Sequence, residues 1–118
     1  MGRLFHHQLI AYKVFQCKSC STHLATYNDI ISKNFNGKTG KCYLFDNCSN
    51  VSKCCPETRK LSTGVHEVCD LICSKCKTIV GWYYIKAYNK SQRYKEKKYI
   101  LELALTRTEN TLLNDITD

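Results

Sequence analysis

The chain has 118 residues, 43% hydrophobic and 24% charged, which is the composition of one globular domain rather than of a disordered or fibrous chain. No run approaches the roughly 18 apolar residues that span a bilayer as a helix. A net charge of +8 and nine cysteines are the outliers, and they direct attention to acidic partners, nucleic acid and metals.

In chain order the sequence reads mostly as strands. The start, "MGRLFHHQLIAYKVF", lacks the charged head and clean apolar run of a signal peptide. Gly2 is not followed by the Ser or Thr at position 6 that N-acylation requires; His6 stands there. "AYKVF" (11–15) is β-prone and leads into Cys17, whereas "YNDIISKNF" (27–35) reads as a short helix. "KCYLFD" (41–46) is a strand after the turn-rich "NGKTG". "TRKLST" (58–63) and "VHEVCDLI" (65–72) flank Gly64 as the arms of a hairpin or bulge would. "TIVGWYYIKAY" (78–88) is rich in β-branched and aromatic residues. In "KYILELALTR" (98–107), Tyr99, Leu101, Leu103 and Leu105 alternate with Ile100, Glu102, Ala104 and Thr106, which favours one strand over a helix. From about Glu109 the chain is expected to fray.

The cysteines carry the sharpest signal. Cys17 and Cys20 form a C-x2-C, and Cys73 and Cys76 form a second one 52 residues later. Each pair ends a strand-like run, in "VFQCKSC" and "DLICSKC". A C-x2-C turn aims two sulfurs at one point, and two such turns make a tetrahedral S4 site suited to zinc. Spacing alone is only suggestive, because chance supplies up to about one such pair in a chain this rich in cysteine. The matched strand–turn context strengthens the reading, as do Lys18, Lys75 and Lys77, whose charges would offset thiolates around Zn²⁺. Four thiolates fill the coordination sphere, so the zinc reads as structural. Redox chemistry fits less well, since neither pair opens a helix in a βαβ frame. A disulfide framework is weaker again, given an odd cysteine count and no secretory signal. Cys42, Cys48, Cys54, Cys55 and Cys69 show no second ligand quartet and read as buried or incidental thiols, with Cys54 and Cys55 in a loop before Pro56.

Beside the second pair, strand alternation puts Trp82, Tyr84, Lys86 and Tyr88 on one face and Gly81, Tyr83, Ile85 and Ala87 on the other. Trp82 can pack in the core beside the metal knuckle. The alternative is a shallow groove built from Trp82, Tyr84 and Phe35. His66 and Asp70 share a face of the strand entering Cys73, where Asp70 can support the knuckle through backbone amides or a lysine; ordinary sheet polarity explains both equally. His6, His7 and His23 carry no signal. Residues 86–98, "KAYNKSQRYKEKK", hold six Lys/Arg against one Glu, which reads first as a solvated face and second as a phosphate-contacting patch.

The two cysteine pairs, "MGRLF", "FQCKSCSTHL", "GKTGKCYLF", Asn50, "TGVHEVCDLICSKCKTIVGWYY", "SQRYKEKKYILELAL" and Arg107 together resemble the Yippee family. The resemblance spans about residues 1–107 and leaves 108–118 as a tail. It implies a mainly β fold, the β-tent: two antiparallel sheets packed at an angle, pinned by one structural zinc, with a short helix. Domains of cereblon, methionine sulfoxide reductase B and RIG-I-like receptors resemble that fold and do unrelated work. The resemblance further implies no enzymatic activity, a cytoplasmic and nuclear location extending to centrosome and spindle, and a role as adaptor or modulator of a CTLH (GID-type) ubiquitin ligase assembly. Arg and Tyr recur at interface hot spots, so Arg3, Arg93 and Tyr94, with Trp82 and Tyr84, are the candidate partner-binding residues. Two other classes stay open: a nucleic-acid binder using the basic aromatic stretch 82–98, and a thiol enzyme, which would need an accessible low-pKa cysteine that no motif announces.

Overall fold

Runs rich in β-branched and aromatic residues become strands throughout residues 13–109, the part of the chain that this computed structural model describes. The elements are β1 (Val14–Cys17), β2 (His23–Thr26), β3 (Ile30–Gly37), β4 (Gly40–Phe45), β5 (Val51–Lys53), β6 (Glu57–Leu61), β7 (Gly64–Cys73), β8 (Ile79–Ala87), β9 (Tyr99–Glu102) and β10 (Thr106–Glu109). Short 3₁₀ turns lie at Tyr27–Asp29, Lys90–Lys95 and Leu103–Leu105. All strand pairs are antiparallel and form two sheets. The small sheet has the order β10-β1-β2; the large one runs β3-β4-β9-β8-β7-β5, with β6 also paired to β7. This is the β-tent arrangement that the family resemblance implies.

Both faces of the large sheet bury side chains. One face contributes Phe45, Leu71, Val80 and Leu101, which pack with Phe15, Leu24 and Ala25 of the small sheet into the principal core. The opposite face carries a second cluster of Cys42, Leu44, Val68, Trp82, Tyr84 and Ile100, flanked by Phe35 and Leu61. Along β4 the alternation is clean: Cys42 and Leu44 point to one cluster, Tyr43 and Phe45 to the other.

Three expectations are corrected. Residues 27–35 are not a helix: Tyr27–Asp29 make one 3₁₀ turn and the rest is β3. Ile30 and Ile31 disfavour helix through their stiff χ1, and the Gly37–Gly40 turn returns the chain so that β3 pairs with β4. Gly40 sits at φ +125°, a conformation that side chains rarely adopt. Second, 98–107 is not one strand. It belongs to the large sheet through Glu102, bends through Leu103–Leu105, and re-enters as β10 in the small sheet. A single strand could not supply both sheets, so the connection forms a corner. Glu102, 6% exposed at that corner, accepts hydrogen bonds from Thr39 N (3.1 Å) and Thr39 Oγ1 (2.6 Å) and so ties the β3–β4 turn to β9. Third, the facing predicted for β8 holds only as far as Tyr84. The register slips between Glu67 and Val68, which pair with Lys86 and Tyr84 and leave Ile85 unpaired in a bulge. Beyond it the parity reverses, so Ala87 is buried while Lys86 and Tyr88 are exposed.

The predicted hairpin around Gly64 is present, with β6 and β7 pairing from Leu61–Gly64 to Glu57–Val68. Thr108 and Glu109 pair with β1; residues 110–118, where the rest of the frayed tail was expected, lie outside the described residues, as does the N-terminal arm with Gly2, Arg3, His6 and His7.

Candidate functional site

The two C-x2-C turns meet at the open end of the principal core. Cys17 ends β1 and Cys73 ends β7; both are buried, and Cys20 and Cys76 follow on the turns. All four sulfurs lie within 4.8 Å of one another, with Cys17 Sγ 3.6 Å from Cys76 Sγ and Cys20 Sγ 3.5 Å from Cys73 Sγ. A tetrahedral zinc with Zn–S bonds of about 2.3 Å places its sulfurs about 3.8 Å apart, so the donor set fits zinc in both chemistry and spacing. Four thiolates complete a tetrahedral coordination sphere, which suits a structural rather than a catalytic ion.

The two turns are copies of each other beyond the cysteines. In each, the amide of the first cysteine donates to a threonine carbonyl five residues on, Cys17 to Thr22 and Cys73 to Thr78, both at 2.8 Å. In each, the residue after the second cysteine is left-handed, Ser21 at φ 66° and Lys77 at φ 67°, and its amide donates back to the first cysteine's carbonyl at 2.8 Å. In each, the threonine hydroxyl meets the second sulfur: Thr22 Oγ1 lies 3.0 Å from Cys20 Sγ and Thr78 Oγ1 3.1 Å from Cys76 Sγ. Thr22 brings the Cys20 thiol down to about 6, and Thr78 lowers that of Cys76. Burial holds Cys17 up at about 11, the part of the site where metal charge is most needed to ionise sulfur. Hydroxyls and backbone amides therefore stabilise the thiolates. Lys18, Lys75 and Lys77, assigned that role from sequence, are exposed, and Lys77 Nζ instead donates to Ser74 O at 2.8 Å. The shared C-x2-C-x-Thr pattern is visible in the sequence as "CKSCST" and "CSKCKT" and is the signal for these hydroxyls.

Asn50 adds a cross-link that sequence reasoning did not resolve. It is left-handed at φ 58°; its Nδ2 donates to His23 O (2.8 Å) in the small sheet, and its carbonyl accepts from Ser74 N (2.9 Å) on the second turn.

Trp82 does not pack beside the metal cluster. It lies on the opposite face of the large sheet, at the base of a groove of about 480 Å³. Phe35 and Gly37 of β3, Leu61 and Thr63 at the β6–β7 turn, and Tyr94 and Lys95 line it with Trp82. β3 approaches closely: a Cβ on Gly37 would sit 3.1 Å from the Trp82 ring. Thus Trp82, Tyr84 and Phe35 do come together. Tyr84 is 2% exposed, and burial pushes its phenol up to about 12. Asp70 supports this face rather than the knuckle, since its Oδ1 accepts from Arg59 Nη2 at 2.8 Å while Arg59 also contacts Glu57. His66 is fully buried with its ring 5.3 Å from that of Tyr84; Nδ1 lies 2.9 Å from Gly64 O, and burial lowers the imidazole from its usual range.

Of the remaining candidates, Arg93 and Tyr94 are exposed on the 90–95 turn, whereas Arg3 lies outside the described residues. Of the aromatics interleaved with lysine in 82–98, only Tyr88 and Tyr94 are well exposed, at 53% and 56%, so Trp82 and Tyr84 offer no open stacking platform for bases. Cys42 and Cys69 are buried thiols raised by desolvation, as a small apolar side chain would sit. The residue that sequence reading missed outright is Lys95, which it placed on the solvated basic face. Lys95 is 2% exposed and turned into the groove.

A family profile described as "Yippee zinc-binding/DNA-binding /Mis18, centromere assembly" matches residues 13–113. The chain belongs to the Yippee/Mis18 family. A yippee-like protein of Arabidopsis thaliana is 53% identical over 102 residues, covering 86% of this chain and 79% of its own length. Protein yippee-like 3 of Homo sapiens is 47% identical over 92 residues, covering 78% and 77%. The crystal structure of the Mis18 "Yippee-like" domain superposes with a TM-score of 0.65 at 15% identity, covering 82% of this chain and 94% of that one. That likeness establishes the fold. Cys17, Cys20, Cys73 and Cys76 all fall inside the Yippee/Mis18 match.

Proposed function

We propose that this Yippee-family chain holds one structural zinc on Cys17, Cys20, Cys73 and Cys76 and acts as a non-enzymatic interaction module, an adaptor or modulator docked on a CTLH (GID-type) ubiquitin ligase assembly in cytoplasm and nucleus. The observation that supports the non-enzymatic part is the cluster of four cysteine sulfurs, since four thiolates fill the coordination sphere of a tetrahedral zinc. The ligase assignment rests on the resemblance carried by "MGRLF" and "SQRYKEKKYILELAL". A stapled sheet pair gives a small domain a rigid surface, which lowers the entropic cost of docking. Arg93 and Tyr94 project from the 90–95 turn beside exposed Lys90 and Lys97 and are the accessible docking residues. Replacing Arg3 and Arg93 together with Glu should abolish co-purification with ligase subunits at physiological salt while leaving zinc content and melting temperature unchanged. Wild-type levels of co-purification by the double variant would remove this docking surface. Absence of any ligase subunit from the unmutated protein's partners would remove the function.

A second reading is supported by the basic exposed row of Lys86, Lys90, Arg93 and Lys97 with Tyr88 and Tyr94, and by the word "DNA-binding" in the description of the family. Few phosphate contacts are available on so short a row, so affinity for DNA or RNA should collapse by about 200 mM salt. Sequence-selective binding that survives that salt would reverse the order of the two readings.

A further inference from the structure

A lysine inside a groove, with its ammonium withdrawn from water, needs either an acidic partner or a ligand that supplies one. Lys95 has no such partner among the described residues. Its Nζ donates to Thr63 Oγ1 at 2.9 Å and lies 5.2, 5.4 and 6.0 Å from the ring centres of Phe35, Tyr84 and Tyr94. The carboxylates around the groove are committed elsewhere. Glu57 and Asp70 bind Arg59, Glu102 holds Thr39, and Glu96 Oε2 accepts from Ala87 N at 3.0 Å. Desolvation alone lowers the Lys95 ammonium, with no anion acting to raise it.

The arrangement selects a ligand class. An ammonium has three N–H donors, and Thr63 takes one. The Thr63 hydroxyl accepts from Lys95 and keeps its own hydrogen to donate. Two donor groups, with three free hydrogens between them, and one positive charge therefore line a space of about 480 Å³ shared with Phe35, Leu61, Trp82 and Tyr84. A cationic ligand is disfavoured because it would meet the Lys95 ammonium, which already lies over Phe35 and Tyr84. Of the other cations in the lining, Arg59 is held by its two carboxylates and Lys38 is exposed to solvent. Lys95 is the one buried cation of the lining, which matches a monoanion, and a dianionic phosphate would bring one charge too many into a poorly solvated site.

We propose that this groove binds an organic carboxylic acid with an aromatic or branched aliphatic body, its carboxylate on Lys95 Nζ and Thr63 Oγ1 and its body against Trp82 and Leu61. The acid is either a free small molecule or the C-terminal residue of a peptide, since both present the same group.

The chain contains a single tryptophan, Trp82, so its fluorescence reports the groove directly. N-acetyl-L-phenylalanine should change that emission saturably, with a Kd on the order of millimolar for a ligand of about fifteen non-hydrogen atoms. Its neutral amide, identical in shape, should bind at least about tenfold more weakly, because it forfeits a charge-assisted hydrogen bond. Lys95→Met should abolish the difference between acid and amide. A tetrapeptide ending in a free phenylalanine carboxylate separates the sources: saturable binding assigns a chain end, and binding of the small acid alone assigns a free metabolite. Equal titration by acid and amide, or no saturable response to the acid, overturns the proposal. That comparison uses the wild-type protein and so stands even if Lys95→Met fails to fold.

Discussion

Replacing Cys73 with serine should leave the purified chain without bound zinc and without a cooperative melting transition. Cys73 terminates the longest strand, is fully buried, and shares the cluster with Cys17, which terminates β1 in the other sheet. The cluster therefore joins the two sheets at the point where their common core ends. Structural zinc in small peptide sites contributes about 10–16 kcal/mol, at least as large as the ~5–15 kcal/mol net stability of a typical domain. Its loss also strands a serine hydroxyl beside the three remaining thiols. Elemental analysis should give one zinc per wild-type chain, and a strong chelator should unfold the wild type as the substitution does. A zinc-free chain that melts cooperatively at the wild-type temperature would show that the sulfurs do not staple the fold.

Gly81→Ala should also be strongly destabilising, for a reason unrelated to the metal. Gly81 pairs with Leu101, and a Cβ placed on it would lie 1.8 Å from Ile100 O and 2.8 Å from Ile100 C. Those are backbone atoms of β9 and cannot rotate away, so β8 and β9 would have to separate at the centre of the large sheet. The expected loss is about 3 kcal/mol or more, the upper end for overpacking. Gly40→Ala is the matched control. Gly40 is at φ +125°, but nothing lies within 4 Å of its added Cβ, so only backbone strain of about 1–2 kcal/mol is expected. Denaturant melts of both variants decide the matter: equal losses would mean that β8 and β9 do not approach as closely as Gly81 implies.

The metal centre was legible because its information is local. Two cysteines three apart on a turn converge whatever the rest of the chain does, and the threonine two residues after each second cysteine was equally readable as part of the same local turn. The strands at 41–46, 65–72 and 78–88 were legible for a related reason, since their β-branched and aromatic residues favour a pleated, half-buried backbone. The stretch 27–35 was misread because its pattern is short and ambiguous, and pairing with β4 decided it. The run 98–107 was misread because alternation says that a segment is extended but not that it changes sheets half-way.

By itself, then, the sequence determined the family, the mainly β class and the four cysteines that cluster. Only the tertiary structure decided which way the aromatics and lysines of 82–98 face. The bulge at Ile85 turns Tyr88 outward, and the 90–95 turn sends Arg93 and Tyr94 to solvent while placing Lys95 among Phe35, Thr63 and Tyr84. Those neighbours come from β3, from the β6–β7 turn and from β8, up to sixty residues away in the chain. A charged residue in a basic run carries no local mark of burial, because its environment is set by elements that meet it only when the sheets close.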